Sequence, residues 1–334
     1  MATIAHPPTL ADVATEAGVS TSTASRALRG DPAVREVTRR RVREAAGRLG
    51  YEPNRLARSL RTRSSNFIGV IVPDIGIGFY ARAVKGAQDV LEWAGYQVLV
   101  MNTEREGRRE LGALRTLLEH RVDGILLATS GGLDSLPRVP IVFFDNLVPG
   151  SGVANIARAN GDGMAILVGH LVEHGHERIG FLGAPPILTS GIERLEGFHA
   201  SMAAAGLSVP PGYIQLGDEI WSPASAETAM RAFLALAEPP TAVVTASDTL
   251  AFGALEVIRG AGRRIPDDIA LVSFDDPLFG DLLDPPITAL ARNERELGKL
   301  AASLLLHSLQ GGATAPPAEV RLPVELIVRR SCGC

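Results

Sequence analysis

Two rhythms of apolar and polar positions run along this chain. Up to about residue 50, apolar residues fall at helical spacing in short bursts. In "TLADVATEAG", Leu10, Val13, Ala14 and Ala17 share one face of a short helix. Thr9, with Asp12 three residues on, makes a capping-box-like start, and Gly18 marks the stop. After Val19, Ser20 offers a second cap. The helix behind it turns Ala24, Ala27 and Leu28 inward and Thr21, Ser22, Ser25 and Arg26 outward. A third amphipathic helix follows in "REVTRRRVREAAGRLGY" and stops at Gly50. Two short helices joined by a tight glycine turn, the second with a polar N-terminal face, describe a helix-turn-helix.

From Phe67 compact apolar runs alternate with longer amphipathic ones. "FIGVIV", "YQVLVM", "GILLA" and "PIVFFD" read as buried strands separated by helices, and the series resumes with "RIGFLG", "YIQL", "TAVVTA" and "IALVSF". Continuous apolar strands between amphipathic helices predict parallel sheets covered on both faces. Two such series predict two lobes, with a cleft at the carboxyl ends of the strands where doubly wound sheets hold ligands.

Composition narrows the class. With 334 residues the chain is long enough for more than one cored domain, and 46% hydrophobic with 21% charged residues is an ordinary globular balance. No apolar run reaches the length of a spanning helix, and the N-terminus lacks a basic flank followed by an apolar core. The two cysteines, Cys332 and Cys334, sit at the extreme C-terminus, which excludes a disulfide framework. These features point to a cytoplasmic protein. Charge adds an asymmetry: residues 1–66 carry twelve Arg against six Asp and Glu, a balance of +6, which leaves −10 for the remainder of a chain totalling −4. A small basic head on an acidic body points to a polyanion as the partner of the head.

The string "TLADVATEAGVSTSTASRALRG…RVREAAGRLGYEPNRLARSLRT" strongly resembles the N-terminal region of LacI/GalR-type bacterial transcription regulators. The likeness continues through "IGVIVPDIGIGFYARAVKGAQDVLEWAGYQVLVMNTE", "RVDGILLA", "VPIVFFDN", "HERIGFLG", "ERLEGF", "IPDDIALVSFDD" and "LDPPITAL", over nearly the whole chain. The resemblance implies an all-α helix-turn-helix head over residues 1–50 and a hinge over 51–64. It further implies an α/β body over 65–334, built of two Rossmann-like lobes resembling a periplasmic sugar-binding protein. The first lobe is expected over about 65–159 and 292–319, the second over about 160–291 and 320–331, with crossovers near Thr288–Arg292 and Pro316–Leu322.

The same resemblance assigns roles. Thr21, Ser22 and Arg26 would face base edges in the major groove, where Arg suits guanine and the hydroxyls are permissive readers. Ser20, Arg29, Arg35 and Thr38 would approach the DNA backbone. Arg29 stands where the family commonly has Asn, and Arg35 where it commonly has a capping Ser, so the third helix is expected to be capped differently. "EPNRLARSLRT" matches the hinge helix, which in this family orders on DNA and lies in the minor groove at the centre of a palindrome. Leu60 matches the residue that wedges into a base step, and Asn54, Arg55 and Ala57 match the groove-lining face. At family pocket positions the chain offers Phe79, Tyr80, Asp145, Arg194, Trp221, Ser247 and Asp275. Asp and Arg suit bidentate bonds to vicinal hydroxyls and Trp suits a sugar's C–H face, so a sugar or related polyol is the expected effector. The expected molecule is a homodimeric repressor on a palindromic operator, without a cofactor and without a membrane partner.

Three other readings meet obstacles. A transporter's solute-binding protein has the cleft but no use for a basic helix-turn-helix. A nicotinamide-dependent enzyme finds a formal G-x-G-x-x-A match in "GIGFYA", but Pro73, Asp74 and Ile75 separate the strand from the glycines, and no P-loop lysine motif or G-x-S-x-G elbow is present. His170 and His174 share a helix face, yet with His176 they lack a third ligand at zinc-like spacing, and "CGC" reads as a frayed tail, so no metal is expected.

Overall fold

The structure is a computed structural model that describes residues 8–51, 64–131, 133, 136–291, 293–311 and 319–334. It divides into two compact units, Met1–Ser65 and Asn66–Cys334.

The first unit carries α1 (Leu10–Glu16), α2 (Thr21–Leu28) and α3 (Glu36–Leu49). The capping box at Thr9 forms in full: Thr9 N donates to Asp12 Oδ2 at 2.7 Å and Asp12 N to Thr9 Oγ1 at 3.3 Å. Ser20 caps α2 by accepting from the Thr23 amide at 3.2 Å. Arg35 makes no side-chain cap for α3. Glu36 sits in the first turn instead and pairs with Arg39 at 2.6 Å. Gly50 closes α3 in the left-handed region at φ 62°, which a residue with a Cβ rarely adopts. Val13, Ala14, Ala24, Ala27, Val42 and Ala45 pack the core of this unit, small side chains that let three short helices approach closely.

The second unit contains two parallel sheets. The first runs β2–β1–β3–β4–β5–β11, from β1 (Phe67–Val72), β2 (Gln97–Asn102), β3 (Gly124–Leu127), β4 (Ile141–Phe144), β5 (Ala154–Arg158) and β11 (Glu319–Leu322). The second runs β7–β6–β8–β9–β10–β12, from β6 (Ile179–Gly183), β7 (Ile214–Leu216), β8 (Ala242–Thr245), β9 (Ala270–Ser273), β10 (Thr288–Leu290) and β12 (Leu326–Ile327). Among the described residues all strand pairings are parallel except that of β12 with β10. The helices between strands are α4 (Gly78–Trp93), α5 (Gly107–Glu119), α6 (Asn160–Glu173), α7 (Thr189–Ala204), α8 (Pro223–Leu234), α9 (Asp248–Gly260) and α10 (Glu294–Leu309). Among the described residues, no helix is long and apolar enough to cross a membrane.

Among the described residues the chain passes between lobes three times: after β5, after β10 and after β11. The last passage corrects the expected boundary. Residues 320–322 belong to β11, which pairs with β5 of the first lobe, so the final return to the second lobe begins only after Leu322. Four strands also lie outside the eight predicted apolar runs: β5, β10, β11 and β12 are short, and β5 and β11 carry polar residues.

α4 and α10 pack against each other across the first lobe. Their approach is possible because Gly86 and Gly298 have no side chains. A Cβ on Gly298 would lie 1.8 Å from the Ala83 carbonyl oxygen, and one on Gly86 2.0 Å from that of Arg295. Beside them Arg82 makes a forked contact with buried Glu294, at 2.9 and 3.2 Å.

Candidate functional site

The carboxyl ends of the strands of both sheets meet at a cavity, and all seven residues expected in the ligand cleft line it: Phe79, Tyr80, Asp145, Arg194, Trp221, Ser247 and Asp275. Phe79 and Tyr80 enter from the first turn of α4, their rings edge to face at 5.0 Å. Tyr80 donates its hydroxyl to Asp145 Oδ2 at 2.9 Å, and Asn146 Nδ2 donates to the same oxygen at 3.2 Å. Asp145 follows β4 with φ 71°, a left-handed turn that leads out of the strand end.

Asp275, just past β9, is the electrostatic centre. Arg158, the last residue of β5, pairs with its Oδ1, and Arg194 on α7 reaches Oδ2 at 3.5 Å. Arg194 also donates from Nε to Asn160 Oδ1 at 2.9 Å and stacks 3.8 Å from the centre of the Phe274 ring. Trp221, half-buried and with φ 53°, lies 5.3 Å from the Arg194 guanidinium. Each guanidinium is thus sandwiched by carboxylate and aromatic surface, which offsets its desolvation. Ser247 lines the cavity while capping α9, its Oγ accepting from the Leu250 amide at 3.2 Å.

The site sorts its acids by environment. Burial alone would raise Asp275, but Arg158 and Arg194 outweigh it and hold this carboxyl below its ordinary value. Asp145 is raised by burial despite the nearby arginines. Asp248, at the start of α9, is pushed up to about 6 by burial and by the charge of Asp275. Arg194 comes down to about 10, again through burial. One donor is left over: Arg158 Nε is buried and has no hydrogen-bond partner among the described residues. A buried donor of this kind can be satisfied by an ordered water or by a ligand acceptor.

Arg158, Asp248, Ser190, Thr249 and Ile77 also line the cavity and were missed by sequence reasoning. For Arg158 the available signal was an arginine ending a short polar-containing strand immediately before Ala159 and Asn160; for Asp248, an acid directly following Ser247. Further contacts cross between the lobes. Leu147 N donates to Thr189 Oγ1 at 2.8 Å, Ser190 Oγ donates to Asn146 Oδ1 at 2.8 Å, and Arg321 pairs with Glu193 at 2.6 Å.

In the head, Thr21, Ser22 and Arg26 are exposed along α2. The Ser20 hydroxyl is shared with its own helix, 3.0 Å from Ser22 Oγ and 2.8 Å from Thr23 Oγ1. Arg29 folds back so that Nε donates to Ser25 O at 3.1 Å, Arg35 is exposed, and Thr38 is half-buried. Asn54, Arg55, Ala57 and Leu60 lie outside the described residues.

The C-terminus is not the frayed tail expected. Cys332 and Cys334 are joined by a disulfide, and Cys332 is fully buried. Ser331 pins the segment, donating from Oγ to Leu271 O at 2.5 Å and accepting from Thr288 N at 2.8 Å. The fold also brings Cys334 to His170 and His174, which the sequence alone left without a third partner.

A basic three-helix head with a polar recognition surface, joined in sequence to a two-lobed body with a charged aromatic cleft, defines a ligand-responsive class of DNA-binding protein. The chain belongs to the lacI family of bacterial regulatory proteins: residues 9–54 match that family's model, and residues 168–332 match a periplasmic binding protein-like domain. It is 33% identical over 331 residues to the HTH-type transcriptional repressor CytR of Escherichia coli K12, covering 97% of this chain and 96% of that protein. It is 35% identical over 341 residues to the HTH-type transcriptional regulator CelR of Thermobifida fusca, covering 97% and 98%. Among solved structures, a lac repressor dimer bound to operator and the anti-inducer ONPF superposes with a TM-score of 0.87 at 28% identity, covering 98% of this chain and 99% of that one. A CelR–cellobiose complex gives a TM-score of 0.72 at 30% identity, covering 97% and 99%.

Proposed function

We propose that this protein is a homodimeric cytoplasmic repressor that binds a palindromic operator through its head and releases or tightens that grip when a sugar-like polyol occupies the interlobe cleft. The observation that carries the reading is the cleft itself. Two arginines, three carboxylates and the Phe79, Tyr80 and Trp221 rings converge on one cavity. Vicinal hydroxyls satisfy paired Asp and Arg groups while an aromatic plate covers the C–H face. The names of relatives agree with carbohydrate chemistry: one is a ribose operon repressor and another was solved with cellobiose.

On this reading Thr21, Ser22 and Arg26 read bases and Ser20, Arg29, Arg35 and Thr38 support backbone contacts. Asn54, Arg55, Ala57 and Leu60 are assigned to the minor groove by family resemblance. Two half-sites demand two heads, so the working unit is a dimer. The protein is a switch rather than an enzyme, since its charged groups are mutually paired to hold a ligand. Selection of duplexes from a random pool by the full chain tests the DNA half of the proposal. An inverted repeat should emerge; recovery of no sequence above the input pool would overturn it.

A further inference from the structure

Outside the cleft, one cluster of ligating side chains stands out on the second lobe. α6 ends at Glu173, and His170 and His174 lie near its end with ring centroids 4.5 Å apart and planes tilted by 51°. The C-terminal turn comes back over them. His170 Nε2 lies 3.5 Å from Cys334 Sγ, and one ligand atom from each of His170, His174 and Cys334 falls within 4.8 Å of the others.

The geometry fits a tetrahedral cation. Zinc–nitrogen and zinc–sulfur bonds of about 2.0 and 2.3 Å set the two ligand atoms roughly 3.5 Å apart. The tautomer fits too. His174 Nδ1 lies 2.7 Å from the His170 carbonyl oxygen, which only accepts, so Nδ1 carries the proton and Nε2 keeps its lone pair. Imidazole ligands are commonly oriented through such a bond from the other ring nitrogen.

The frame around the turn is firm. His176 Nε2 reaches the Cys332 carbonyl oxygen at 3.4 Å, and Thr288 Oγ1 donates to Cys332 Sγ at 3.2 Å. Ser331 ties the same segment to Leu271 and Thr288.

We propose that the dithiol form of the Cys332-Gly333-Cys334 turn, with His170 and His174, binds a borderline-soft divalent cation of the zinc class. His170 Nε2, His174 Nε2 and Cys334 Sγ are the three protein ligands. Thiolates, not a disulfide, ligate such ions. The structure holds the oxidised pair, so the site is generated by reduction. A phosphine takes oxygen from water to become its oxide, the S–S bond breaks, and two thiols result. Binding of the cation then releases the proton of each thiol that ligates. A bound ion would fasten the chain end to α6, whose first residue, Asn160, accepts from Arg194 in the cleft.

Cobalt(II) is the probe. The full chain is reduced with a phosphine, stripped with a chelator, desalted without oxygen and titrated with cobalt. The expected result is sulfur-to-cobalt charge-transfer absorption with intense tetrahedral d–d bands, saturating stoichiometrically and abolished by zinc. The unreduced chain should show none. Cys334→Ser and His174→Ala, both at exposed positions, should each weaken cobalt binding by at least about tenfold, while His307→Ala leaves it unchanged. Absence of charge-transfer absorption in the reduced parent overturns the proposal. So does parental binding by both Cys334→Ser and His174→Ala.

Discussion

Arg158 and Asp275 join the two lobes across the cleft: one ends β5 of the first sheet, the other follows β9 of the second, and both are nearly buried. The pair is an ionic latch at the floor of the ligand cavity. A molecule that competes for either group must alter how the lobes meet. Removing Asp275 leaves Arg158 and Arg194 buried without their shared carboxylate, at a cost of about 3–5 kcal/mol, and removing Arg158 leaves Asp275 with Arg194 alone. Arg158→Ala and Asp275→Ala should therefore each lower the denaturation midpoint and abolish response to effector. Urea melts and calorimetric titration check this. Trp221→Ala should lose effector binding with a smaller stability loss, because its ring is half-exposed.

Base reading is expected to rest most heavily on Arg26, the exposed cation on α2. Arg26→Ala should cost about 1–3 kcal/mol on the cognate duplex and relax preference at one base pair per half-site. Competition between matched and scrambled duplexes at several salt concentrations measures both. Full discrimination by the variant would remove Arg26 from the readers.

Asp248 gives a pH signature. Its folded value of about 6 lies above that of an unfolded aspartate, so the folded chain takes up a proton more readily. Stability from this group is present at low pH, declines between about 4 and 6, and is gone above that window. Asp248→Asn should melt several degrees above the parent at neutral pH and near it at about pH 4. Equal shifts at both pH values would contradict the assignment.

Gly298 faces the Ala83 carbonyl oxygen at a distance that leaves no room for a methyl group. Gly298→Ala should force α4 and α10 apart and destabilise the body by about 2 kcal/mol or more. A urea melt followed by Trp93 and Trp221 fluorescence reports it. Gly112, on α5 of the same body with open space around it, serves as the contrasting site for the same substitution.

What was legible in the sequence followed the range of the interactions. Thr9 with Asp12, and Ser20 with Thr23, are contacts between residues three apart, so capping chemistry reveals them directly. The apolar runs of β1, β4 and β8 betray buried strands by composition alone. The seven cleft residues came from family resemblance, and the fold gathers all of them in one cavity. Arg158 escaped because β5 reads "ANIAR", too polar for a buried run, and its partner Asp275 lies far along the chain. The C-terminal turn escaped for the same reason: Cys334 meets His170 across a separation of 164 residues, and no local pattern announces that meeting. The boundary at β11 was misplaced because its strand identity comes from pairing with β5 rather than from an apolar run.

Cleft and operator are expected to be coupled through the lobes, and linkage makes that coupling measurable in one assay. Fluorescence anisotropy of a selected operator, at fixed salt, is titrated with the full chain in the presence and absence of any polyol that raises the melting temperature of the parent. The polyol should shift operator affinity by about 5–150-fold, and operator should change polyol affinity by the same factor. Trp221→Ala, which leaves the Arg158–Asp275 pair intact, should bind operator as the parent does and ignore the polyol. An operator isotherm that no cleft-binding polyol moves, or a Trp221→Ala chain that responds like the parent, would contradict this coupling.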